Sequence, residues 1–120
     1  MKDIEEMLQL HHDMMNEIGS DADALELYME LVKTANRYMY FRANWSIWSS
    51  VQKLENDPSR TSCHNALIVK FNQLSRYLKM QGKDVKWRDA LGYEENDADD
   101  RKQIGDFACY IVFINSINAR

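Results

Sequence analysis

The densest chemistry in the chain lies in DPSRTSCHNALIVKF, residues 57–71, where Cys63 stands next to His64. A thiol and an imidazole within reach of each other make a nucleophile and its base. Neighbours on a helix are turned about 100° apart, however, so these two do not face one another, and a dyad would need a partner from another helix. Cys63 shares an arc with Leu67, Phe71, Leu74 and Leu78, which reads as the first core residue of a helix and a shielded thiol. His64 falls at the margin of that arc.

Metal chemistry is the next class the residue types suggest. LHHDMM offers His11, His12 and Asp13 on a helix, but a helical His-Asp centre needs a further histidine upstream, and residues 1–10 contain none. Glu26 and Glu30 are spaced one turn apart, as in helical Mg²⁺ sites where several such pairs converge, yet no second well-spaced pair accompanies them. Glu95, Asp97 and Asp99, with Asp106 further on, echo the oxygen spacing of a calcium loop, except that Asp100 stands where its glycine is required. These groups read as solvated surface and helix-start charge. Gly-rich phosphate loops, a GxSxG elbow and CxxC pairs are all absent. The expectation is therefore no metal, no cofactor and no catalytic residue.

A set of arginines and amides remains: Arg37, Arg42, Arg60, Asn65, Arg76 and Arg88. Arg60 lines up with the apolar stripe of its helix and must find an acidic or carbonyl partner, for which Asp106 is the candidate. Tyr38, Arg42, Arg60, His64 and Arg88 are the residues that could line a site for a small molecule or a phosphorylated ligand.

The elements that must position these groups are helical. The 120 residues are 45% hydrophobic with only 4 Gly and 1 Pro, too few turn formers for many short strands. A chain of this length buries roughly two thirds of its unfolded surface in one core, so residues 1–120 read as a single domain. Ile4, Met7, Leu8, His11, Met15 and Ile18 mark a helix over 3–18 that stops at Gly19. From Asp21 to about Glu55 the pattern runs without Gly or Pro and predicts one long helix. Within it Tyr38, Phe41, Trp45 and Trp48 share an arc that reads as a core stripe, with Tyr40 turned away. Asp57 with Pro58 predicts the start of a third helix reaching Gln81. A short helix over 84–91 and a last one from about Asp99 to Asn118 complete the chain. The last, containing FACYIVFINSI, is apolar in nearly every direction, which suits a central helix or one shared with a second subunit. The fold expected is an all-α bundle of four main helices plus one short helix, centred on the long second helix and the last.

The succession RYMYFRANW, RTSCHNALI, KWRDALG and IGDFACYIVFINSINAR, spanning residues 36–120, resembles a family of small helical bacterial proteins of unknown function. The resemblance implies a bacterial source and assigns no residue a role.

The charge of −4 denies the domain the overall positive field of a non-specific nucleic-acid binder, although a local basic patch stays open. No apolar run approaches the ~20 residues of a membrane span and the polar start has no signal-peptide core, so a cytoplasmic protein without a membrane partner is expected. Cys63 and Cys109 read as reduced, buried residues. Two functions from different classes follow. The first is a non-catalytic interaction protein, a homodimer joined through the final helix near Phe113 or Tyr110. The second is a small-molecule or phospholigand site, with hydrolase activity as one form of it, lined by the five residues named above. A cavity holding two or more unpartnered polar groups of that set would favour the second; a dry core with a large apolar contact would favour the first.

Overall fold

A computed structural model describes residues 3–92 and 98–118, and among these residues the fold is all-α, without strands. The helices are α1 (Ile4–Ile18), α2 (Ala22–Trp45), α3 (Ser50–Met80), α4 (Lys86–Leu91) and α5 (Ala98–Asn118). The first helices start at local caps, whereas α4 begins at Val85 without a side-chain cap. Asp3 accepts from the Glu6 amide, and Asp21 from those of Asp23 and Ala24. Gly19 ends α1 at a φ of 52°, a conformation that side-chain-bearing residues avoid.

The single long second helix is not found. The chain leaves α2 at Trp45, and Ser49 begins α3 with a reciprocal capping box: its hydroxyl accepts from the Gln52 amide while Gln52 accepts from the Ser49 amide. That S-x-x-Q signal outweighs the Asp57-Pro58 step, so Asp57 is no cap and Pro58 lies inside α3. The missing proline N–H leaves the Leu54 carbonyl without its helical donor, and Leu54 is 77% exposed, so water reaches that side of the helix.

The core forms where α2 packs along α3 and α5, with α1 and α4 closing one side. Its apolar stripe on α1 is Met7, Leu10, Met14 and Ile18, which shares Met7 and Ile18 with the expected one but is rotated around the helix from it; Ile4 and Leu8 face outward. Phe71 of α3 stacks on Phe107 of α5 at 5.9 Å and meets Trp87 of α4 at 6.4 Å. The stripe of α5 that enters the core is Ile104, Phe107, Ala108 and Ile111, so this helix is buried along one side rather than all round. Cys63 and His64 also exchange their expected places: Cys63 is half-buried against the core and His64 is only 8% exposed. Neither Cys63 nor Cys109 forms a disulfide. No helix among the described residues is long and apolar enough to cross a membrane.

Candidate functional site

The aromatic arc of α2 divides between two environments. Tyr38 is buried in the core, whereas Phe41, Trp45 and Trp48 are half-buried and gather at the corner between α2 and α3, where Tyr40 joins Phe41 edge to face at 5.2 Å. These four rings are therefore a separate cluster rather than a core stripe, because the chain turns at Ser46 just beyond Trp45.

Beside this corner lies a cavity of about 490 Å³ between α2, α3 and α5. Helix α2 contributes Tyr38, Arg42, Trp45 and, at its end, Ser46; α3 contributes Arg60, Thr61 and His64; α5 contributes Arg101 and Lys102. Four of the five residues expected to line a ligand site thus come together. The fifth, Arg88, does not. It is fully buried in α4, where its Nε donates to Asn72 Oδ1 at 3.0 Å and its Nη1 to the Gly92 carbonyl, an anchor for the turn that ends α4.

The cavity is strongly cationic. Arg42, Arg60, Arg101 and Lys102 line it, and among the described residues no acidic one does. Two carboxylates stand behind these cations: Asp106 pairs with Arg42, and Asp57 with Arg60 at 3.3 Å. Asp106 was expected to hold Arg60, but Arg42 takes it, because Arg60 lies instead over the Trp45 ring, 4.3 Å from its centroid. Burial opposes the charge on Arg42, yet the hydrogen bond to Asp106 prevails and holds the guanidinium firmly protonated. Arg101 donates to Asn65 Oδ1 at 3.3 Å.

Gly105 makes this arrangement fit. A Cβ there would stand 2.8 Å from Arg42 Nη1 and 2.9 Å from the Tyr38 hydroxyl, so the bare backbone of α5 is what admits both side chains.

His64 closes the inner wall. Its Nε2 lies 2.9 Å from the Arg101 carbonyl oxygen, and the Tyr38 ring meets it edge to face at 5.3 Å. A carbonyl only accepts, so Nε2 carries the proton and Nδ1 of the neutral ring is an acceptor. Burial pushes His64 below the usual imidazole range, and the Arg101, Arg60 and Arg42 charges act in the same direction against the carbonyl bond. Among the described residues, three buried side-chain atoms have no hydrogen-bond partner: His64 Nδ1, Arg60 Nε and Asp106 Oδ2.

The other sequence candidates lie elsewhere. His11 bonds the Tyr28 hydroxyl at 2.8 Å, Asp13 accepts from Gln9, and His12 is exposed, so the three do not converge. Glu30 pairs with Lys70 at 3.2 Å while Glu26 is exposed. Glu95 and Asp97 lie outside the described residues, as does the side chain of Asp99. Among the described residues no three His, Cys, Asp or Glu side chains are grouped to hold a metal ion.

Sequence reasoning missed Trp45, Ser46, Thr61, Arg101, Lys102 and Gly105 as parts of one site. The adjacent basic residues Arg101 and Lys102, and a glycine in the interior of a helical pattern, were the available signals. No protein-family model, curated protein or solved structure matches this chain.

Proposed function

We propose that the protein binds a small phosphorylated or similarly anionic molecule in the cavity between α2, α3 and α5. The observation that carries this reading is four cationic side chains around one concave space whose lining, among the described residues, contains no acid. Guanidinium groups meet phosphate and carboxylate oxygens with paired N–H donors, and their attraction is strengthened where water is partly excluded. The volume of about 490 Å³ falls within the ~300–1,000 Å³ usual for ligand pockets.

Calorimetric titration with inorganic phosphate and pyrophosphate tests the reading. Binding should weaken as salt rises, and should fall at least tenfold in Arg60→Met. Absence of heat with both anions at millimolar concentration would overturn it.

A second reading is favoured by α5, where Phe113 and Ile117 are 58% and 49% exposed. These side chains suit a homodimer joined through the last helix, whereas Tyr110 is half-buried beside His11 and Phe107. The free, half-buried cysteines fit a reducing compartment such as the cytoplasm. Light scattering of the parent chain and of Phe113→Glu checks this reading: a parent that is already monomeric at micromolar concentration removes it.

A further inference from the structure

We infer that the corner between α2 and α3 docks on the surface of an anionic lipid bilayer, and that the anion taken by the cavity is a phospholipid headgroup. This rests on the anion-binding reading above and adds where the phosphate is found.

The cationic cavity and an exposed apolar surface are continuous. Trp45 lines the cavity and also belongs to the ring cluster, 6.3 Å from Trp48, whose ring stands 5.9 Å from that of Tyr40. Ser46 lines the cavity as well, and the next residue, Ile47, is 76% exposed. Val51 and Leu54 extend this surface along α3. They are exposed neighbours three positions apart, and Leu54 lies two turns before Thr61, on the side of the helix that borders the cavity. Four large apolar side chains, Tyr40, Ile47, Val51 and Leu54, thus stand in solvent around the turn that joins α2 to α3. Single exposed apolar residues are ordinary, but a contiguous group marks a surface that is covered in use.

Charge selects what covers it. Beside the four cations of the cavity, Lys53 lies 6.0 Å from the Trp45 ring centroid. The acids on the same part of α3 are Glu55 and Asp57, and Asp57 is engaged by Arg60 as Asp106 is by Arg42. Among the described side chains this end of the bundle is therefore net basic, although the chain as a whole carries −4, so an anionic surface attracts this end and repels the rest. A phospholipid joins a phosphate to hydrocarbon in one molecule, as Trp45 joins the cavity to the corner. Trp and Tyr rings settle where headgroups meet acyl chains, because each has an apolar body and one polar atom. Apolar and basic contacts together hold a protein on a bilayer, and such attachment requires no spanning helix, of which the described residues contain none.

Flotation with two kinds of vesicle tests the inference: phosphatidylcholine alone, and the same lipid with about one quarter phosphatidic acid. The anionic vesicles should bind the chain at least tenfold more tightly, and binding should weaken as salt rises. Tryptophan emission should shift to the blue on binding, reported by Trp45 and Trp48 because Trp87 is already buried. Ile47→Ser combined with Leu54→Ser, both at exposed positions, should weaken vesicle binding at least tenfold and leave calorimetric binding of inorganic phosphate within about twofold. Arg60→Met should weaken both. A chain that binds inorganic phosphate but ignores phosphatidic acid vesicles, or binds both kinds of vesicle equally, overturns the inference and leaves the anion site standing. Vesicle binding that survives the double substitution, or that leaves tryptophan emission unmoved, overturns the role of the corner. A parent chain that is dimeric by light scattering and monomeric after the double substitution assigns the corner to a second copy and overturns docking on lipid. No binding of phosphate or of vesicles overturns both readings.

Discussion

Arg88 and Arg60 both turn inward from helices of the same bundle, and the chain treats them in opposite ways. Around Arg88 the protein supplies the acceptors itself, from Asn72 and from the Gly92 carbonyl, and buries the side chain fully. Around Arg60 it supplies one exposed carboxylate and the face of Trp45, and leaves a buried N–H next to a cavity. The difference separates a charge whose partners are built into the fold from one that is left on a cavity wall. A buried ion is tolerated when its partners are fixed in the fold, because their removal costs several kcal/mol.

Four outcomes break or sharpen this contrast, beginning with the largest. Arg88→Met should lower unfolding stability by about 3 kcal/mol, since Asn72 and Gly92 lose their shared donor, and phosphate affinity should change by less than about twofold. Urea unfolding and calorimetry on the same sample measure both. A variant as stable as the parent would show that the building role of Arg88 is misplaced.

Gly105→Ala should do the reverse. The new methyl group collides only with the far ends of Arg42 and Tyr38, which can swing aside, so stability should drop by no more than about 2 kcal/mol. Arg42 then leaves its place in the cavity, and phosphate affinity should fall about tenfold. An alanine variant with undiminished binding would mean that Arg42 takes no part.

The histidines put the comparison on a pH axis. His64 in the cavity and His11 beside Tyr28 are both held below the ordinary imidazole value of 6.5, in each case chiefly by burial. A group with a lowered folded pKa contributes stability that is fully present above its unfolded value and is lost as pH falls through the folded one. Unfolding midpoints should therefore decrease as pH drops below about 6.5. Asp21, lowered by its bond from Tyr77, continues the loss below its ordinary 3.8. Glu17, raised by burial, has the opposite sign and regains some stability as pH falls through its folded value. Midpoints that stay flat between pH 7.5 and 5 would contradict the burial of both rings.

The smallest effect belongs to Asp57→Asn. The pair with Arg60 is exposed, so stability should change by less than about 0.5 kcal/mol. Removing a carboxylate from behind the cavity should nevertheless raise phosphate affinity about twofold. Weaker binding would show that Asp57 orients Arg60 rather than competing for it.

The all-helical architecture was legible because apolar spacing and scarce glycine speak to helices directly. The corner between α2 and α3 was not. Continuous periodicity across residues 21–55 hid it, and proline drew attention to Asp57 when the working start signal was Ser49 with Gln52. Phase within a helix was harder still: α1 carries two overlapping apolar stripes, and only its neighbours decide that Leu10 and Met14 go inside while Ile4 and Leu8 stay out. Tyr38, Arg42, Arg60 and His64 were selected by residue type, and they meet because α2 and α3 run side by side. Arg88 has the same chemistry, but nothing in its local sequence announces that a turn carbonyl will hold it.

Pro58 gives the third helix a hidden boundary. Residues 50–62 of α3 include no buried side chain, whereas His64, Leu67 and Ile68 begin the buried stretch that runs to Leu78. One continuous helix therefore contains two parts of unequal protection, and its first part also lacks the hydrogen bond that Pro58 cannot donate. Amide hydrogen exchange should be fast through Thr61 and slow from Leu67 onward. Arg60 and Thr61 stand on the fast side of that border and His64 on the slow side. When the first turns unwind, one wall of the cavity goes with them while the bundle stays intact; on the anion-binding proposal, that would give a ligand a way in without global opening and make occupancy and local order rise together.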